Sequence, residues 1–131
     1  MKNKKGLLNE IKRRERLHYP AEMRQLQSCN SWRDLTEYCE GAPVVRLLGE
    51  DGYLIHTQNE IVDLACSSPR LVVAALLYLR KKFAGKKLSA DFRDTTSWPL
   101  FKRMERYITI HHAEEWCWGS ELMHEAEFTI K

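Results

Sequence analysis

Apolar residues at the start of the chain recur with helical spacing. Leu7, Leu8 and Ile11 predict a helix that ends before Pro20, because proline disfavours helical geometry in the residue before it. We expect a short helical turn through Met23 and Leu26, and a second helix over residues 31–40.

The pattern then changes to that of β-strands. Residues 44–48 and 53–57 are rich in β-formers and flank a Gly-Glu-Asp-Gly turn at residues 49–52, which predicts an antiparallel hairpin. Residues 60–65 form a third run of the same kind. Three strands in sequence predict a meander.

The next helix has clear start and stop signals. Ser68 can cap it, Pro69 suits its first turn, and Gly85 ends it. Residues 71–79 are apolar nearly all round, so we expect a helix buried on every side. Residues 88–93 alternate as a strand of the same sheet, which predicts a right-handed parallel crossover.

The remaining residues predict a short helix ending near Arg106 and a terminal hairpin of strands 107–112 and 122–130. The fold class is therefore α/β, or α+β, with N-terminal helices, a central buried crossover helix and a mixed, largely antiparallel sheet. The predicted organisation is a basic helix over residues 1–18, followed by a single compact domain over residues 19–131.

Composition places the chain among globular proteins, with 131 residues of which 44% are hydrophobic and 30% charged. The longest apolar run, residues 71–79, has about half of the roughly 20 residues that a membrane span needs. The N-terminus has no apolar signal core. We therefore expect a soluble, cytoplasmic protein without a membrane span.

The net charge of +3 is uneven, since residues 1–18 hold seven Lys or Arg against two Glu. A basic end predicts contact with nucleic acid, an anionic membrane or an acidic protein. The alternative interpretation is a solvated helix face, because no aromatic residue precedes Tyr19 to stack on bases.

Four cysteines without a Cys-x-x-Cys pair predict small buried thiols in a reducing compartment. His112, Cys117 and His124 lack a known zinc-ligand spacing, so we expect no metal site. No hydrolase elbow, Walker loop or dinucleotide fingerprint is present in the sequence.

The order of elements over about residues 30–130, with Asp94, Thr96, Ser97 and Tyr107 near the last helix, resembles the GCN5-related N-acetyltransferase fold. This resemblance implies acetyl coenzyme A as cofactor and Tyr107 as general acid. A tyrosine that opens a strand is also explained by packing alone.

The chain departs from that family at the cofactor loop. Members carry an Arg/Gln-x-x-Gly-x-Gly/Ala loop, whereas this chain has no glycine over residues 65–70. Cys66, Ser67, Ser68 and Arg70 are the residues left to bind a pyrophosphate. Helix capping is the alternative explanation of Ser68.

The missing loop favours a non-catalytic binding or assembly protein, similar to small acetyltransferase-like proteins of phages. If it is encoded by a phage, we expect it to be associated with the virion. The alternative is an active N-acyltransferase that uses acetyl coenzyme A through an atypical site.

A protein partner would bind the basic N-terminus or the hairpin that carries Trp116 and Trp118. His111 and His112 are adjacent, so we expect them on opposite faces of a strand. An exposed hairpin tip with both tryptophans anchored is the competing interpretation.

Overall fold

A computed structural model describes residues 3–131, and Lys2, counted in the predicted basic helix, lies outside the described residues. The chain divides into two compact units, Met1–Ser67 and Ser68–Lys131. They are described separately, and the single domain expected over residues 19–131 stays a prediction.

The first unit begins with helix α1, Lys4–His18, whose N-terminus is capped by the Asn3 side chain accepting a hydrogen bond from the Gly6 N–H at 2.7 Å. Two 3₁₀ turns follow, Ala21–Met23 and Leu26–Ser28. Helix α1 and the two turns lie where the spacing of apolar residues predicted helical structure.

Helix α2, Trp32–Cys39, and a three-stranded meander complete the first unit. Ser31 caps α2 by accepting a hydrogen bond from the Asp34 N–H at 3.1 Å. The strands are β1 (Val44–Leu48), β2 (Gly52–His56) and β3 (Ile61–Ala65), paired antiparallel in that order. Their core residues are buried with those of the helices: Leu8, Ile11, Leu26, Cys29, Leu35, Cys39, Tyr53, Ile55 and Ala65.

The second unit contains two helices and a second antiparallel sheet. The elements are α3 (Pro69–Phe83), β4 (Leu88–Arg93), α4 (Ser97–Lys102), β5 (Ile108–Trp118) and β6 (Glu121–Ile130). The strand order is β4-β6-β5, so β6 is central. Phe92, Trp98, Phe101 and Phe128 pack together in its core, with Phe92 stacked on Phe101 at 4.1 Å.

The α+β class, the N-terminal helices and the terminal hairpin are confirmed, but the parallel crossover was wrong. β3 and β4 belong to different sheets. β4 pairs antiparallel with β6, with Ala90 opposite Ala126 and Phe92 opposite His124. Because β6 supplies the backbone hydrogen-bond partners of β4, β4 does not have to pair with a parallel strand.

Helix α3 is buried on one face only, which corrects the expectation of burial on every side. Val72, Ala75, Leu76 and Leu79 are buried at helical spacing, whereas Leu77 is 40% exposed. Helix α4 also ends at Lys102, earlier than predicted.

Candidate functional site

The four residues predicted to bind a pyrophosphate lie where the two units meet in sequence. Cys66 and Ser67 end the first unit, and Ser68 and Arg70 begin the second. Ser68 Oγ accepts a hydrogen bond from the Leu71 N–H at 3.4 Å, which is the capping role. Binding of acetyl coenzyme A by these residues stays a prediction.

Tyr107, the predicted general acid, lies directly before β5 and is partly buried. Its N–H donates to the Met104 carbonyl at 2.8 Å, and its carbonyl accepts from the Lys131 N–H at the same distance. The bond from Lys131 joins the two ends of the hairpin, and the bond to Met104 closes the turn that precedes β5. A catalytic role of the hydroxyl stays a prediction.

Strand β5 is the most exposed regular element of the second unit. It has eleven residues, and it pairs with β6 on one side and with no other strand among residues 3–131. Residues 109–117 are all exposed. The sequence predicted a hairpin tip over much of this stretch; instead the strand continues to Trp118 and turns at Gly119 and Ser120.

The register of β5 and β6 assigns each exposed side chain to a face of the sheet. Ala113 lies opposite Ala126 and Cys117 opposite Leu122, so both belong to the face that carries the core residue Ala126. We call this the inner face. We call the opposite face the outer face. It carries His112, Glu114, Trp116 and Trp118, which lie opposite residues 127, 125, 123 and 121 of β6, in that order.

A β-bulge between Ile110 and His112 changes the positions of the two histidines. His111 has no residue opposite it, and its Nε2 lies 2.7 Å from Thr129 Oγ1 on the outer face. His112 lies on the same face, opposite Glu127. The prediction that the two histidines point to opposite faces was therefore wrong, because the bulge adds one residue to the alternation.

The two tryptophans of β5 stack on each other, with ring centroids 5.9 Å apart. Trp116 is 37% exposed, and its Nε1–H donates to Asp91 Oδ1 of β4 at 3.0 Å. This bond crosses β6, so the indole spans the outer face beside Met123, which is 3% exposed. Trp116 is thus held in place while part of its ring remains open to solvent.

The hairpin is strongly acidic. Residues 108–130 contain five Glu and no Lys, Arg or Asp. Glu114 and Glu125 are directly opposite each other on the outer face. His112 Nε2 lies 2.9 Å from Glu114 Oε1, and this hydrogen bond raises the pKa of His112 above its usual value.

On the inner face, the hairpin joins the loop that follows β4. His124 Nε2 lies 2.7 Å from Asp94 Oδ1, and the His124 ring stacks on Trp98 at 4.5 Å. Sequence reasoning missed this pair because Asp94 and His124 are 30 residues apart. The contact joins the start of α4 and the loop before it to β6.

Most basic side chains of the predicted N-terminal helix are bound within the first unit. Lys12 donates to the Cys29 carbonyl at 2.9 Å, Arg14 to the Gly52 carbonyl at 2.6 Å, and Arg16 to Gln27 at 2.7 Å. The side chains of Lys12, Arg14 and Arg16 therefore connect α1 to other segments of the first unit.

A different basic surface lies at the end of α3. Residues 80–87 contain five Lys or Arg and no acidic residue, and each of the five is exposed. We call residues 80–87 the basic segment. Lys87 pairs with Glu127 at 3.6 Å.

The first unit also holds a carboxyl group bonded to two tyrosines. Asp63 of β3 accepts hydrogen bonds from the Tyr53 hydroxyl at 2.7 Å and the Tyr19 hydroxyl at 2.9 Å. Burial raises the pKa of Asp63 to about 6, and it also raises the pKa of Tyr53. The cluster joins the segment after α1 to the meander.

Among residues 3–131, no three His, Cys, Asp or Glu side chains are grouped so as to hold a metal ion. His112 lies on the outer face, whereas Cys117 and His124 lie on the inner face. The prediction of buried thiols is confirmed for Cys29 and Cys39, whereas Cys66 is partly buried and Cys117 is exposed, so it was wrong for Cys117.

Comparison with known proteins found no family model, no curated protein and no solved structure that matches this chain. The resemblance to acetyltransferases therefore stays a prediction. In the described part of the chain, none of the helices has the length and apolar character needed to span a membrane.

Proposed function

We propose that this protein is a non-catalytic binding protein that captures an extended segment of a partner protein along β5. The observation that carries this proposal is the run of nine consecutive exposed residues, 109–117, on an edge strand. An edge strand presents backbone N–H and C=O groups that can pair with a further strand.

The length and composition of β5 support this role. Its eleven residues exceed the usual three to ten or so, and it contains neither lysine nor proline; its edge charges are Glu114 and Glu115, which oppose pairing with an acidic strand but not with a basic one. The bulge at His111 interrupts its regularity, which leaves residues 112–118 as the regular stretch for docking. Trp116 and Trp118 belong to the residue type most enriched at binding hot spots.

The test is selection of binders from a library of random ten-residue peptides, followed by NMR amide exchange on the complex. We expect alternate amides of residues 112–118 to become protected, since a docked strand pairs with alternate backbone groups. β4, the opposite edge of the same sheet, is the internal control. Protection that avoids β5, or is equal at β4, would contradict the proposal.

A second candidate function, binding of a polyanion such as nucleic acid, is favoured by the basic segment. Five exposed cations within eight residues attract phosphate groups, and no acidic residue of the segment opposes them. This surface replaces the N-terminal helix as the proposed nucleic-acid contact, because the helix uses several of its cations internally.

A further inference from the structure

The two faces of β5 differ in chemistry, and this difference constrains what can dock beside it. A strand paired with β5 places alternate side chains on the outer and inner faces. Its outer side chains would lie next to Glu114 and Trp116, and its inner ones next to Ala113, Glu115 and Cys117.

The outer face of β5 carries no lysine or arginine where the partner would lie, and His112, whose Nε2 lies 2.9 Å from Glu114 Oε1, is positively charged only when protonated. Glu114 and Glu125 are a cross-strand pair of like charges, an arrangement that destabilises a sheet. Two other carboxylates of the hairpin have cations beside them, Lys87 at 3.6 Å from Glu127 and Arg93 at 2.8 Å from Glu121. A cation placed beside Glu114 would relieve the repulsion between Glu114 and Glu125.

Trp116 offers a second contact for a cation on the same face. Trp116 is 37% exposed, and its indole is fixed by the bond to Asp91. A lysine or arginine side chain over a fixed indole gains a cation–π interaction. Glu114 and Trp116 are two residues apart, so the two cations would be two residues apart in the docked strand.

The inner face favours apolar neighbours at two positions. Ala113 and Cys117 are exposed there and flank Glu115. Apolar residues beside Ala113 and Cys117 would bury apolar surface, and a polar residue suits the position beside Glu115.

We propose that the partner segment is an extended peptide with the pattern apolar, basic, polar, basic, apolar, docked beside residues 113–117. This inference rests on the proposed capture of a strand by β5. The pattern reads the same in both chain directions, so it holds for parallel and antiparallel docking. A second copy of this hairpin is disfavoured as occupant, because each copy brings five Glu and no Lys or Arg over residues 108–130.

The experiment compares three nine-residue peptides that share flanking residues and differ in the centre. The centres are Val-Lys-Thr-Lys-Val, the same residues with reversed faces as Lys-Val-Thr-Val-Lys, and the acidic Val-Glu-Thr-Glu-Val. Titration calorimetry gives the affinities and NMR shifts of residues 112–118 give the location. We expect the first peptide to bind at least tenfold more tightly than the other two, and less tightly as salt is raised.

Charge reversal of one residue tests the outer-face contact directly. Glu114→Lys should weaken binding of the first peptide at least tenfold and strengthen binding of the acidic peptide. Glu105→Lys, an exposed change outside the hairpin, is the matched control and should leave both affinities unchanged. Circular dichroism of both variants checks that the fold is retained.

The outcomes separate the two proposals. If peptides dock at β5 without preference for lysine, the basic partner is wrong and the captured strand stands. If no peptide, including those selected from the random library, shifts residues 112–118, both are wrong. If wild-type protein dimerises through β5 in analytical ultracentrifugation, a second copy is the occupant and the basic peptide is overturned.

Discussion

Individual side chains in the first unit set its response to pH. Asp63 binds a proton more tightly in the folded chain, where its pKa is about 6, than at its ordinary value of 3.8. Between these values the folded state holds more protons than the unfolded state. The contribution of Asp63 to the free energy of unfolding is therefore largest at low pH and falls as pH rises from about 4 to 6.

Asp63→Asn removes this titration and leaves an amide that can bond to both tyrosine hydroxyls. We expect the free energy of unfolding of the variant, relative to wild type, to rise between pH 4 and pH 7. The gain is at most about 3 kcal/mol, from about 1.4 kcal/mol per pKa unit. Urea unfolding at pH 4, 5, 6 and 7 measures it.

The control for this variant is Asp51→Asn, which changes an exposed carboxylate in the β1–β2 turn of the same unit. Glu10, whose pKa is lowered to about 2 by Arg13 and Arg14, acts in the opposite direction, since its stabilisation is lost as pH falls below 4.5. Glu10 is present in all three proteins, so its effect cancels. An Asp63→Asn difference that is constant with pH would contradict the assignment.

The β5–β6 hairpin depends as an element on its two-residue turn. Gly119 has φ of +59°, and Ser120 is not among the residues with positive φ. A first turn residue with positive φ is typical of the type II′ turn, which fits the twist of paired strands. A side chain at Gly119 would be strained although nothing lies within 4 Å of its Cβ position.

Gly119→Ala should therefore lower the stability of the second unit by about 1–2 kcal/mol, the penalty for an L-residue in left-handed geometry. Urea unfolding followed by tryptophan fluorescence measures the change. Ser120→Ala alters the same turn without this penalty and should change stability by less than about 0.5 kcal/mol. Equal losses in the two variants would show that the backbone angle is not the cause.

Elements with local start and stop signals could be predicted from the sequence. Ser31 and Ser68 cap the helices that follow them, as their positions before apolar residues indicated. The pairing of β4 could not be predicted, because strand, helix and strand in succession fit a parallel crossover as well as two separate sheets. Only the register with β6 decides between them.

The candidate site was predicted only in part for a similar reason. The tryptophans of the hairpin were singled out as a partner surface. The strand was predicted only over residues 107–112, and its extension to Trp118 was missed, because residues 109–117 are exposed on both faces and so lack the alternation that marks a half-buried strand. The bulge at His111 further disrupts the period.

The distribution of charge over the whole molecule differs from the one that the N-terminus suggested. Residues 1–67 hold ten Lys or Arg and ten Asp or Glu, so the net charge of +3 belongs to the second unit. Within that unit, residues 70–107 hold ten basic and three acidic residues, whereas residues 108–130 hold five Glu alone. A polyanion should therefore bind the part of this unit that precedes the hairpin.

Neutralising Lys81, Lys82 and Lys86 to Gln together should weaken binding to a 20-base-pair DNA duplex and make it less salt-dependent. Each lost phosphate contact reduces the slope of log K against log salt by about 0.9, so the slope should fall by about 2–3. Fluorescence anisotropy at several salt concentrations measures both quantities. Glutamine keeps much of the aliphatic stem, so the fold should be retained.

The matched control neutralises three exposed cations of the first unit, Lys4, Lys5 and Arg33, to Gln. Both triple variants have the same net charge, so a general electrostatic effect would weaken binding equally. A site in the basic segment predicts a loss only in the first variant, because phosphate contacts act within about a Debye length of 10 Å. Equal losses would assign the binding to net charge, and a loss only in the control would assign it to the first unit, where Lys4 and Lys5 lie in α1 and Arg33 in α2.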